Sequence, residues 1–197
     1  AVTTIIIGYG NILELAPGTS GFTLGGAYGE GFTLTATGKA HSGIFGLDLI
    51  DLTITHNHFL GPNVGSGINI RGLTASDPDN DSLIRKNTFD ECDEAIAIYP
   101  GNGVTDLTIT MNCIFNSKEH GIILGGNPGP KGGLGIMKVI VVTENTISNS
   151  GTGLWIGPAD NIHADFFVIR LNNFLNNDIG ILNDTTILVT ALRNYWG

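Results

Sequence analysis

Basic residues are scarce in this chain: nine Lys and Arg stand against 18 Asp and Glu over 197 residues, for a net charge of −9. That balance excludes a nucleic-acid partner, because nothing here neutralises a run of phosphates. Long hydrophobic runs are missing as well. The longest, such as Ile5-Ile6-Ile7, are strand-sized, so no segment reaches membrane-spanning length. No window carries a convincing 3.6-residue apolar stripe, and only 14 % of residues are charged, which argues for little helix. Cysteine is down to Cys92 and Cys113, and two thiols do not decide the redox compartment. Glycine, by contrast, is plentiful at 29 residues, as a chain of many tight corners requires.

What is present is one sentence repeated. It reads Ile54-Thr-His-Asn57-His-Phe59, Ile84-Arg-Lys-Asn87-Thr-Phe89, Ile109-Thr-Met-Asn112-Cys-Ile114, Val142-Thr-Glu-Asn145-Thr-Ile147 and Ile169-Arg-Leu-Asn172-Asn-Phe174. A small residue and an apolar pair follow each: Gly67-Ile68, Ala95-Ile96, Gly121-Ile122, Gly153-Leu154 and Gly180-Ile181. From Asn to small residue the distances are 10, 8, 9, 8 and 8; from there to the next Asn, ending at Asn194, they are 20, 17, 24, 19 and 14. One arc is nearly fixed in length and the other absorbs insertions. An internal repeat of this period means a solenoid. Within the fixed arc, apolar residues alternate with period two and are mostly β-branched or aromatic, so the coils are built of strands. Asn57, Asn87, Asn112, Asn145 and Asn172 recur at one corner. Stacked there, each amide can donate and accept up and down a ladder, satisfying the corner backbone.

On these five aligned coils the sequence resembles the right-handed parallel β-helix proteins of the pectate-lyase-like superfamily, over about residues 30–197. The closing Asn194-Tyr-Trp-Gly197 looks like the last turn of many such repeats. The resemblance implies an all-β, single-stranded right-handed solenoid of about seven to eight coils. Length and an unbroken composition give one domain over 1–197, with irregular first coils to residue 50 and regular coils from 51 to 197. The resemblance also implies a secreted, extracellular or cell-surface location, which fits a sequence opening at Ala1 without start Met or signal peptide. It does not choose a function, since the superfamily hosts lyases, hydrolases, epimerases, tailspikes and adhesins.

In the superfamily's enzymes, catalysis occurs on the outward face of the strand after the fixed arc. Parity places Phe45, Asn69, Ala97, Ile123, Trp155 and Leu182 in its central outward column, with Arg71, Tyr99 and Asp184 beside it. No carboxylate or His belongs to that column. The paired Asp with Gly-His-Gly of polygalacturonase-like enzymes is missing, Glu119-His120-Gly121 being the nearest echo. The lyase-type Arg-x-x-Arg and the epimerase-type Asp-Pro-His are missing too. An apolar outward stripe marks a contact surface unless loops cover it. The expectation is therefore a non-catalytic extracellular structural or interaction module that self-associates, laterally through Phe45, Ile123 and Trp155 or end to end. The alternative is a carbohydrate-active or carbohydrate-binding domain using Arg71, Tyr99 and Trp155, with Leu182 at the column's end.

Two metal readings arise. Asp77, Asp79 and Asp81 alternate in one loop and are candidate calcium ligands, although Ser82 and Thr88 stand where an EF-hand needs Gly and Glu. Because copper-handling periplasmic proteins exist in the superfamily, the soft pairs His56/His58 and Met111/Cys113 are also candidates. A whole coil carrying Lys86 and Thr88 separates those pairs by about 10 Å, which disfavours a shared ion. No other cofactor is expected.

Overall fold

The computed structural model describes residues 4–26, 31–77, 81–126, 135–158 and 167–197. Eighteen strands form one sheet in which every pairing is parallel, and no described residue is helical. The chain is a parallel β-solenoid with three strand faces.

The first face follows the Asn corner. It stacks the start of β1 (Thr4–Leu15) on the start of β3 (Phe32–Thr55), then β4 (His58–Leu60), β7 (Thr88–Asp90), β9 (Cys113–Phe115), β12 (Thr146–Ser148), β15 (Asn173–Leu175) and β18 (Tyr195–Trp196). The central face stacks the later part of β1 and β3 with β5 (Val64–Thr74), β8 (Glu94–Thr110), β10 (His120–Gly125), β13 (Thr152–Gly157) and β16 (Ile179–Asn183). The third joins β2 (Ser20–Leu24), the end of β3, β6 (Ser82–Arg85), the end of β8, β11 (Met137–Thr143), β14 (Phe167–Arg170) and β17 (Thr190–Leu192).

Seven rungs on the central face, from Glu14 to Leu182, enclose about six turns, slightly fewer than the seven to eight expected. A second difference concerns Pro100–Thr105, which reads as a loop but lies inside β8. Left-handed backbone at Gly101 (φ 49°) and Asp106 (φ 54°) folds that strand around a corner without interrupting it.

The Asn corner works as a continuous ladder. The Asn112 side chain donates through Nδ2 to Asn145 Oδ1 (2.9 Å) and to Ile84 O (3.0 Å), and its Oδ1 accepts from the backbone N (2.9 Å) and Nδ2 (3.1 Å) of Asn87. The same pattern runs from Asn57 to Asn194, and every rung from Asn57 to Asn172 is buried. It also holds an unfavourable backbone. The residue before each rung (His56, Lys86, Met111, Glu144, Leu171, Arg193) has φ between 53° and 60°, where a side chain costs about 1–2 kcal/mol.

Inside, the faces close on one core of Ile, Leu, Val and Phe. Phe59 and Phe89 stack at 4.7 Å and Phe174 and Trp196 at 5.0 Å, so aromatic side chains repeat at the spacing of the coils. The small residue after the fixed arc faces these rings at Gly67, Gly153 and Gly180, and Ile147 at Gly121. A Cβ on Gly67 would lie 2.6 Å from the Phe89 ring and 2.7 Å from Ala95 O. The core rings thus fill the space that a larger residue would need.

Candidate functional site on the central face

The outward column of the central face is in the register expected from parity. Phe45 pairs with Asn69, Asn69 with Ala97, Ala97 with Ile123, Ile123 with Trp155, and Trp155 with Leu182. Arg71 lies beside it, paired with Tyr99. The stripe is not bare. Ala97, Ile123 and Tyr99 are buried and form a second apolar cluster, separate from the core, against which Trp155 packs. Long side chains fold sideways over the short ones: Trp155 and Tyr99 cover Ala97 and Ile123. Gly126 closes the edge, since a Cβ there would lie 3.4 Å from the Trp155 ring and 3.8 Å from Tyr99. Ile123, 1 % exposed, is therefore not itself available to a partner, while Phe45, Arg71, Trp155 and Leu182 are half-buried.

Polar groups converge on this apolar patch. The Trp155 indole donates through Nε1 to Asp184 Oδ2 (2.8 Å), and the His120 ring stacks on it at 5.0 Å. The Arg71 guanidinium sits over two rings, 5.6 Å from the centre of Phe45 and 5.9 Å from that of Tyr99. Glu94 pairs with His120 in the row before the column and accepts from Ser66 Oγ (2.8 Å). Burial pushes the Tyr99 hydroxyl up to about 12, with the charge of Glu94 adding to it. Burial likewise raises the Glu94 carboxyl above its ordinary 4.5, against the Ser66 hydrogen bond, and exposed Glu119 adds its charge.

Among the described residues, three polar atoms on this face are buried without a partner: Asn69 Oδ1, Arg71 Nε and His120 Nδ1. Each orphan of this kind costs about 1–3 kcal/mol, so three together need an explanation. His120, Glu94 and the Asp184 contact are what sequence reasoning missed. Glu119-His120-Gly121 matches no catalytic motif, and the outward column read by parity holds Ile123, not His120.

The raised Glu94 gives a signed prediction. A carboxyl whose folded pKa exceeds its unfolded value contributes stability present below about 4.5 and lost as pH rises through the folded value. Glu94→Gln, which keeps an acceptor for Ser66, is expected to be more stable than the parent at pH 7 and equal to it at pH 4. Urea midpoints at the two pH values check this, and the same difference at both would contradict it.

Other candidates are placed as follows. Asp81 accepts from Thr108 Oγ1 (3.0 Å), Asp77 is described, and Asp79 lies outside the described residues. At the Asn corner, Thr88 stands between His58 and Cys113. A polar cavity of about 450 Å³ opens at a different corner, lined by Asn116, Ser117, Lys118, Asn149, Ser150 and Asp178 among others. It brings none of the aromatic residues together.

Residues 19–196 match the family model described as periplasmic copper-binding protein (NosD). The chain belongs to the NosD family. That family is one of right-handed parallel β-helices, in keeping with the parallel stacking of the coils, and its description places it in the periplasm. No curated protein and no solved structure matches the chain.

The copper in the NosD description can be tested on the donors. Among the described residues no three His, Cys, Asp or Glu side chains gather closely enough to hold an ion. Cys92 is buried in the core with its thiol pushed up to about 12, mainly by burial, which keeps it protonated and a poor ligand. Met137 is buried as well. Met111 faces a cation, its Sδ lying 3.6 Å from Arg85 Nη2, and His56 Nδ1 is engaged by Thr55 Oγ1 at 2.8 Å. The described side chains of this NosD-family chain do not fit a copper centre.

Proposed function

We propose that this NosD-family chain is a non-catalytic binding module that takes a saccharide on its central face. One observation carries the reading: among the described residues, Asn69 Oδ1, Arg71 Nε and His120 Nδ1 are buried and unpartnered on the face that also bears Phe45, Tyr99 and Trp155. Sugars offer apolar ring faces for aromatic side chains and hydroxyl groups for orphaned donors and acceptors, so both features have the same explanation. The half-buried indole of Trp155, fixed by Asp184 and His120, supplies the stacking edge. Calorimetric titration with a panel of oligosaccharides tests this. Saturable binding that weakens about tenfold or more in Trp155→Ala is expected, a loss of roughly 1.4 kcal/mol. Heats that never saturate across the panel, or binding indifferent to Trp155, would defeat the reading.

A second reading, contact between copies, is supported only at the terminal coils, where Ile5, Tyr9, Leu188 and Tyr195 are exposed. The apolar column that lateral packing would use is largely covered. A light-scattering mass of one chain at every concentration would remove it.

A further inference from the structure

The corner between the third face and the Asn ladder carries side chains that the fold does not ask for. His56, Lys86, Met111, Glu144, Leu171 and Arg193 follow one another along it, each in left-handed backbone that glycine or asparagine adopts at less cost. Met111 and Leu171 stand there 39 % and 45 % exposed and outside the core, so core packing does not offset the strain. Val168 in the third face and Leu192 in the next turn are exposed as well. Cations share this ridge. Lys86 and Arg193 lie on the corner itself, and Arg85 and Arg170 lie in the neighbouring outward column, where pairing runs Thr55, Arg85, Thr110, Thr143, Arg170, Leu192. None of the four has an ion-pair partner among the described residues. Arg85 Nε is buried without an acceptor, and its Nη2 lies against Met111 Sδ. In a chain of net charge −9 the ridge is thus apolar and cationic at once, with Glu144 the one carboxylate in its two columns.

Independently of the saccharide reading, we infer that this ridge docks on an anionic phospholipid surface. A bilayer interface offers both chemistries in one plane: phosphate groups for the cations, and the headgroup–acyl boundary for the apolar side chains. Four coil steps of about 4.8 Å separate Lys86 from Arg193, so the cations are spread over about 19 Å of straight ridge. Two other partners fit less well. A second copy of the chain offers anions at the corner between the first and central faces, where Asp90, Glu91, Asp93 and Glu94 follow one another. That corner continues through Asn116, Asn149 and Asn176, however, and gives Met111 and Leu171 nothing apolar to meet. An acidic peptide needs a groove or an open strand edge, whereas this corner is convex and its strands are paired on both sides. The acidic corner also orients the approach. It lies at the other margin of the first face, so an anionic surface repels that side and attracts the ridge.

Flotation with vesicles of phosphatidylglycerol and phosphatidylcholine in equal parts, against vesicles of phosphatidylcholine alone, forms the test. Binding to the anionic vesicles is expected to be tighter by about tenfold or more and to weaken as salt is raised. Arg170→Glu should weaken it about tenfold or more, while Lys118→Glu, the same charge change at the acidic corner, should leave it little altered. Met111→Asn combined with Leu171→Asn separates docking from folding. Asparagine suits left-handed backbone, so this variant is expected to unfold at a higher urea midpoint than the parent and yet to bind the vesicles less. Equal partition onto both vesicles, or onto neither, would overturn the proposal. So would binding that Arg170→Glu and the double asparagine variant leave unchanged, or that Lys118→Glu weakens as much as Arg170→Glu does. Capture of a polyglutamate peptide without capture of vesicles, lost in Arg170→Glu, would assign the ridge to an acidic protein segment and overturn the lipid assignment.

Discussion

Asn112→Ala is expected to destabilise the solenoid by about 4 kcal/mol, because it leaves several buried partners of one side chain unsatisfied at once. Asn112 is fully buried in mid-ladder. Without its amide, the backbone N–H of Asn87 loses its acceptor and Ile84 O loses its side-chain donor. The bond from Asn87 Nδ2 and the one to Asn145 Oδ1 go with them. Met111, held at φ 56° next to it, is then free to relax and loosen the corner. The same change at Asn194 removes an acceptor from Asn172 and a donor from Ile169 O, but at a part-buried terminal rung where water can substitute. About 1 kcal/mol is expected there. Urea unfolding of the two variants measures the difference, and equal losses would show that the ladder does not bear on stability as a stacked unit.

Gly121→Val is the second large effect, and its cause is steric. Gly121 has no left-handed φ requirement. Its missing Cβ would sit 2.6 Å from Gly153 O and 2.6 Å from Ile147 Cγ2, so the next coil and the core both stand in the way. Gly153 repeats the pattern against Gly180 O and the Phe174 ring. Overpacking of this kind costs about 1–3 kcal/mol and more where backbone must move; a loss of about 3 kcal/mol is expected for valine. Alanine should cost less, because Ala95 already occupies the equivalent place one coil earlier. A thermal midpoint for Gly121→Val matching that of the parent would contradict the packing of the small-residue column.

These two positions also show how much of the fold was legible. The Asn and the small residue recur at nearly fixed separation because each has a task that few other side chains perform, one bridging coils and one leaving room for a core side chain of the next turn. Period-two alternation did the same for the central column, whose pairing from Phe45 to Leu182 follows parity throughout. The left-handed corners were not legible. His56, Lys86, Met111, Glu144, Leu171 and Arg193 share a backbone conformation and no side-chain chemistry, since the ladder beside them, not their own preference, imposes it.

The site was half legible. Parity gave Arg71, Tyr99 and Trp155 their face. It could not say that Tyr99 and Trp155 would lie across Ala97 and Ile123, which turns an exposed apolar stripe into a covered one with polar groups at its margin. Nor could it bring His120 onto Trp155, because that contact depends on the turn entering β10. A sequence scan sees residues by column; orphaned atoms become visible only when neighbours are counted in space.

The most direct measurement is the 15N–1H correlation of arginine side chains during a titration with the same panel of oligosaccharides. Arg71 Nε–H is buried and unpartnered on the central face, and Arg85 Nε–H is buried and unpartnered on the third face, so the second is an internal control. The account predicts a saturable shift of the Arg71 signal with the Arg85 signal unmoved. Shifts of both together, or of neither while ligand is in excess, would contradict a binding site on the central face.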